Sequence, residues 1–239
     1  MELNGAEETD SGPRIEIGRV VERPFPLFMD RTDAGRTMAE FVRPSDDSQA
    51  LVLAVPRGGV PVAAPMARAF GIPLDVIPVR KLPIPRSPEA GFGAVAPDGS
   101  TVLNEAMVEQ LGLSAEEIAR VREDVLDEVA RRAEQYRGER RPPDLEGRHV
   151  YLVDDGLATG YTMLAAVRSV RQAGGGPITL CVPVSPMDSL RRLEPYVDEV
   201  FCFVAQQRPP FAVASFYREF GDLTDDDVKQ LLAGPVGAE

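Results

Sequence analysis

A single histidine, two cysteines and no tryptophan occur among the 239 residues. One imidazole and two well-separated thiols cannot build a zinc cluster of recognised ligand spacing. No Ser/His/Asp hydrolase pattern is present, and His149, just ahead of an apolar run, reads as a packed or surface side chain. Cys181 and Cys202 each lie inside apolar runs and read as buried thiols, which favours a cytoplasmic setting over an oxidising one. No stretch reaches the roughly 18 consecutive apolar residues of a membrane span. Positive charge is scarce as well: 26 Lys and Arg stand against 38 Asp and Glu, a formal net charge of −12. Nucleic acid and anionic membrane both call for a basic surface, so neither is expected as a partner. Lysine is rarest of all. Lys81 and Lys229 are the two in the chain, and Lys81 falls in a local basic group with Arg57, Arg80 and Arg86. Chance explains a lone lysine nearly as well as chemistry does.

Against these absences one stretch stands out, VYLVDDGLATGYT at 150–162. Its first four residues suit a strand buried on both faces. Asp154 and Asp155 follow, then a short Gly/Thr loop. From Thr162 the apolar residues Met163, Leu164, Val167 and Val170 recur at helical spacing. A strand–loop–helix of this kind aims backbone N–H groups and a helix N-terminus at one point, an anion site. The Thr159 and Thr162 hydroxyls add donors. Two carboxylates beside an anion site conflict unless the ligand carries hydroxyls and a phosphate together, as a sugar phosphate does.

The rest of the chain alternates strands and helices. A short helix is expected at 33–43, a buried strand at Ala50–Val55, a helix at about 61–70 and a strand at Pro73–Val79. The Pro/Gly-rich stretch 82–99 reads as a mobile loop, a candidate lid, leading into short strands near 93–96 and 101–103, with a plain surface loop or hairpin as the alternative. Ser114 and Glu117 form a capping box that starts a long helix to about Arg137. Further strands are expected at Pro177–Val184 and Val197–Val204. Ser185 is the expected N-cap of the helix between them, and Thr224 that of a closing helix. No internal repeat and no second core is evident. This alternation predicts an α/β fold, a doubly wound and mainly parallel sheet, with ligands at the carboxyl ends of its strands. Residues 25–239 are expected to form a single domain. The acidic, polar start MELNGAEETDSGPR is unlike a secretory leader, and residues 1–24 are expected to be a flexible segment.

VYLVDDGLATGYT resembles the signature for 5-phosphoribosyl-1-diphosphate (PRPP) of type I phosphoribosyltransferases, with Tyr161 bulkier than the usual occupant. The runs at 53–82 and 88–105 resemble a bacterial phosphoribosyltransferase-like family whose acceptor is not generally assigned. The resemblance spans about residues 25–232 and implies a type I fold with a small hood, for which 206–223 is the candidate, and a long helical insertion. It implies that Asp154 and Asp155 hold the ribose hydroxyls. It places the 5′-phosphate on Gly156, Leu157, Ala158, Thr159, Gly160, Tyr161 and Thr162. The diphosphate falls to Arg57, Gly58, Gly59, Arg80 and Lys81, with Arg86 and Glu89 inside the adjoining loop. Catalytic weight is put on Asp154, Asp155, Arg57 and Lys81. Magnesium is expected mainly through PRPP, with Asp154 and Asp155 as candidate ligands. The resemblance also implies a cis peptide bond between Pro56 and Arg57. Phe211, Phe216 and Tyr217 are weak candidates to stack on the acceptor, although aromatics in such a segment more often anchor a core. The implied reaction moves a phosphoribosyl group from PRPP to a small nitrogenous acceptor. A non-catalytic PRPP or nucleotide sensor and a PRPP or sugar-phosphate hydrolase stay open, as does assembly into a homo-oligomer.

Overall fold

The computed structural model describes residues 13–85 and 87–234, without the side chains of 87–89. Four short apolar runs form the middle of its main sheet: β2 (Leu51–Ala54), β7 (Val150–Val153), β8 (Ile178–Pro186) and β9 (Glu199–Gln206). β2 and β7 are buried at every position. Their side chains feed two cores, one on each face. Leu51, Leu53, Val150, Leu152 and Leu180 share one, and Val52, Ala54, Tyr151, Val153 and Phe201 the other. Apolar burial on both sides is what the continuous runs predicted. Cys181 and Cys202 are free thiols on opposite faces of this sheet.

β3 (Leu74–Val76) flanks β2, and β1 (Arg14–Val21) flanks β9, giving the order β1-β9-β8-β7-β2-β3 with every pairing parallel. The chain runs outward from β2 to β3, then in the opposite direction from β7 through β8 to β9. The order therefore reverses between β2 and β7, and crevices at such reversals are where α/β sheets bind ligands. Helices α1 (Arg31–Phe41), α2 (Gly59–Phe70), α5 (Tyr161–Gln172), α6 (Met187–Leu193) and α7 (Asp225–Ala233) cover the sheet. Among the described residues no helix is long and apolar enough to cross a membrane.

Several expectations need correction. Residues 14–21, assigned to a flexible segment, form β1, held by a seven-pair parallel register against β9 rather than by burial. Residues 1–12 lie outside the described residues. The stretch read as a mobile loop is largely ordered: β4 (Arg80–Ile84) and β5 (Ser87–Val95) pair antiparallel, and β6 (Thr101–Leu103) adds to β5. Pro83 sits where the β4–β5 register shifts, a position that tolerates its missing N–H. This small sheet, with α3 (Glu105–Leu111) and α4 (Ala115–Arg137), carries its own apolar cluster of Leu82, Phe92, Val95, Val125 and Val129. A second, smaller core thus exists. α4 begins at the expected Ser114/Glu117 capping box. Ser185, in contrast, caps nothing: β8 runs on through Pro186, and the Ser185 hydroxyl donates to the Pro186 carbonyl.

Candidate active site

The ends of β2 and β7 lie side by side, and the pairing continues one step beyond β2, where Val55 N–H donates to Val153 O at 2.8 Å. The turn that follows β2 has its Pro56–Arg57 peptide bond cis, as the resemblance implied. Its glycines touch the β7 turn directly. A Cβ on Gly58 would stand 2.1 Å from Asp155 Oδ2, and one on Gly59 would stand 2.6 Å from Val153 O. Close approach requires both glycines, beyond anything a simple turn needs.

Asp154 and Asp155 follow β7 directly. Asp155 N–H donates to Asp154 Oδ1 at 2.8 Å, and Tyr217 O–H donates to the Asp155 carbonyl at 2.6 Å. Burial raises the proton affinity of both carboxylates. The effect is stronger at Asp154, where the neighbouring Asp155 charge adds to it. At Asp155 a cation offsets part of it: Arg31 Nε donates to Oδ2 at 2.7 Å. The Arg31 guanidinium also donates to Gly221 O at 2.9 Å and lies 3.7 Å from the centre of the Phe220 ring. Sequence reading missed Arg31. Its weak signal is an arginine at the first position of a helix, where the dipole disfavours a cation.

The loop after the carboxylates is built to present its backbone. Gly156 packs against Val184 and Val213, with room for no side chain. Leu157 turns inward, is buried, and gives its N–H to Val184 O at 3.0 Å. Leu157 therefore leaves the expected anion-binding set, because its N–H is committed to the sheet. Ala158 and Thr159 are exposed. Their carbonyls are held from α6, Ala158 O by the Ser189 hydroxyl at 2.7 Å and Thr159 O by Arg192. Gly160, at φ +81°, turns the chain into α5, whose first residues are Tyr161 and Thr162. A left-handed residue there favours glycine. Tyr161 packs on the core and carries the Arg192 guanidinium 5.2 Å from its ring centre, which accommodates its bulk.

The expected cations surround this crevice from two sides. Arg57 stands 3.8 Å from Asp225 in the first turn of α7, and Asp225 also accepts from Tyr136 O–H at 2.6 Å. Arg80 is ion-paired with Glu128 of α4, which also binds Arg132 at 3.2 Å. Arg80, Lys81, Glu128 and Thr162 line one cleft of about 450 Å³. Lys81 is exposed and enters no ion pair among the described residues. Arg86 and the Glu89 side chain lie outside the described residues.

Two of the three acceptor-stacking candidates are ruled out by burial. Phe216 is 0% and Tyr217 4% exposed, in a cluster with Phe28, Val184 and Val204. They anchor the 206–223 segment to the sheet, and Leu27 and Phe28 N–H groups both bond Phe216 O. Phe211 is partly buried and tilted against Phe216, with ring centres 5.6 Å apart. His149 is packed as expected, between the Ser45 and Thr179 hydroxyls at the opposite, amino end of β7. Among the described residues no group of three carboxylate, imidazole or thiol side chains could hold a metal ion.

A model of the phosphoribosyl transferase domain matches residues 94–215. The crystal structure of TT1426 from Thermus thermophilus superposes with a TM-score of 0.72 and 38% identity, over 86% of this chain and 97% of that one. The chain belongs to the phosphoribosyltransferase family. Rv0571c of Mycobacterium tuberculosis, which carries a provisional phosphoribosyl transferase designation, is 43% identical over 206 residues. Those residues are 86% of this chain but 46% of that protein, so the chain spans about half the length of this relative. The uracil phosphoribosyltransferase of Streptomyces avermitilis is 32% identical over 136 residues, 56% of each chain. The family match covers Asp154, Asp155, the loop at 156–160, α6 and residues 206–215. The Gly58–Gly59 turn and Arg31 lie upstream of it.

Proposed function

We propose that this domain transfers the 5-phosphoribosyl group of PRPP to a small nitrogenous acceptor and releases diphosphate. The observation that carries the reading is the crevice at the β2/β7 reversal, where two adjacent, half-buried carboxylates, one of them against Gly58, adjoin a helix N-terminus. Sugar hydroxyls suit the carboxylates. A 5′-phosphate suits the N–H groups of 158–162 and the Thr159 and Thr162 hydroxyls, with the α5 dipole in support. A diphosphate suits the 57–59 backbone with Arg57 and Lys81.

In the reaction the C1–oxygen bond to diphosphate breaks with its electron pair going to the leaving oxygen. A C1–nitrogen bond forms, and the acceptor nitrogen loses its proton. Positive charge grows on the ribose ring, where Asp154 and Asp155 favour it, while Arg57 and Lys81 favour the departing anion. All of these contributions are positional and electrostatic, without a covalent enzyme intermediate. Magnesium fits this donor set: it prefers oxygen, keeps substrate and water oxygens, and needs only one or two protein carboxylates. Asp154, beside the Arg31-paired Asp155, would hold it, and it would neutralise charge on the diphosphate.

The test is diphosphate release from PRPP and Mg²⁺, with a panel of nucleobases, other nitrogen heterocycles and amines. Acceptor-dependent release supports the transferase. Release without an acceptor indicates a hydrolase, and tight PRPP binding without release a sensor.

A further inference from the structure

The two carboxylates of the ribose site differ in what already holds them. Asp155 is engaged at its N–H by Asp154, at its carbonyl by Tyr217, and at Oδ2 by Arg31. Gly58 closes the remaining approach to Oδ2, since even a Cβ there would overlap it. The Arg31–Asp155 pair is mostly shielded from water, at 13% and 14% side-chain exposure. Arg31 is itself fixed by the Gly221 carbonyl and the Phe220 ring, both in the hood. Asp154 accepts the Asp155 N–H at Oδ1 but has no ion-pair partner among the described residues.

From this asymmetry we infer that Arg31 is a positioning residue of the ribose site, which commits Asp155 to bracing the β2 and β7 turns and leaves Asp154 as the carboxylate that faces the sugar. The hood thus reaches the ribose site through Arg31, 124 residues from its partner in sequence. A buried pair broken from one side leaves an uncompensated charge, so Arg31 acts through Asp155 and its loss should be felt there first. This inference rests on the PRPP reading above.

The test is a double-mutant cycle on Arg31→Gln and Asp155→Asn, with Asp154→Asn as comparison. Binding of PRPP with Mg²⁺ and of inorganic phosphate alone is measured by calorimetry. Arg31→Gln should weaken PRPP binding by at least about tenfold and leave phosphate binding within about twofold, because only the ribose side is disturbed. Arg31→Lys, which keeps the charge but not the fork, should recover part of that loss. Adding Asp155→Asn to Arg31→Gln should cost nothing more, whereas adding Asp154→Asn should multiply the loss. Melting curves identify unfolding. If Arg31→Gln unfolds, Arg31→Lys with Asp155→Asn carries the cycle. Additive losses for Arg31 and Asp155, or equal loss of phosphate and PRPP binding, overturn the inference alone. A wild-type protein that binds phosphate but not PRPP overturns the functional reading, and this inference with it.

Discussion

Replacing Gly58 by alanine tests whether the two turns of the crevice interlock as described. Gly58 has φ −61° and ψ −36°, a conformation alanine adopts freely. Restricting the unfolded chain alone would then stabilise the protein by about 0.4–1 kcal/mol. Sterics act the other way. The new methyl carbon would sit 2.1 Å from Asp155 Oδ2 and 2.5 Å from its Cγ. The carboxylate cannot simply swing aside, because Arg31 grips it at 2.7 Å. Forcing an extra carbon into a packed site costs about 1–3 kcal/mol, and breaking a buried pair about 3–5 kcal/mol. Overpacking with partial relaxation leaves a net loss of about 2 kcal/mol, which lowers Tm by about 4–8 °C for a chain of this size. Differential scanning fluorimetry reads this directly, with PRPP binding measured alongside. Gly221→Ala is the control, since a Cβ there meets nothing within 4 Å. A Gly58→Ala protein that melts at or above the wild-type temperature and binds PRPP normally would refute the interlock.

Asp154→Asn with Asp155→Asn should abolish PRPP turnover while keeping side-chain shape; wild-type affinity and rate in the double variant would refute the ribose-site reading. Tyr217→Phe removes the hydrogen bond to the Asp155 carbonyl and should cost about 1–3 kcal/mol as a buried acceptor loses its donor, read by urea unfolding. His149 is buried and its proton affinity is lowered, chiefly by desolvation. As pH falls, the unfolded chain therefore binds this proton first. The His149 contribution is full above about pH 6.5 and is lost as pH drops below that. Unfolding free energy measured at pH 7.5 and pH 5 should fall more in wild type than in His149→Gln; equal slopes would remove His149 from the account.

Much of the sheet was readable because its central strands are short apolar runs buried on both faces, as at Val150–Val153, and because capping boxes mark helix starts at Ser114 and Thr224. β1 escaped notice because it is largely exposed and is held by backbone pairing, which leaves no apolar block in RIEIGRVV. Pro83 and the glycines of β5 disguised a real hairpin, since tight strand contact needs small residues there: a Cβ on Gly93 would stand 2.4 Å from Val102 O. At the site, the carboxylates and the Gly/Thr loop after them are contiguous in sequence and so were visible. Arg31, Ser189 and Arg192 reach that stretch only through the fold, and each would pass locally for an ordinary helix residue.

The small sheet with α3 and α4 has an apolar cluster of its own, and it leaves the main sheet after β3 and returns at β7. Arg80 and Lys81 ride on that excursion, while Asp154, Asp155 and the loop after them follow β7 of the six-stranded sheet. The cleft lined by Arg80, Lys81, Glu128 and Thr162 consequently lies where this excursion meets the start of α5, while Ala94, Ala96 and Val102 tie the small sheet into the main core. Asp154 follows β7, which is held by its pairing with β2, whereas Lys81 is held by its pairing with Ala94 in β5. The cations and the two carboxylates are thus set by different strand pairings. A change confined to the β4–β5 hairpin would therefore reach Lys81 before it reached Asp154.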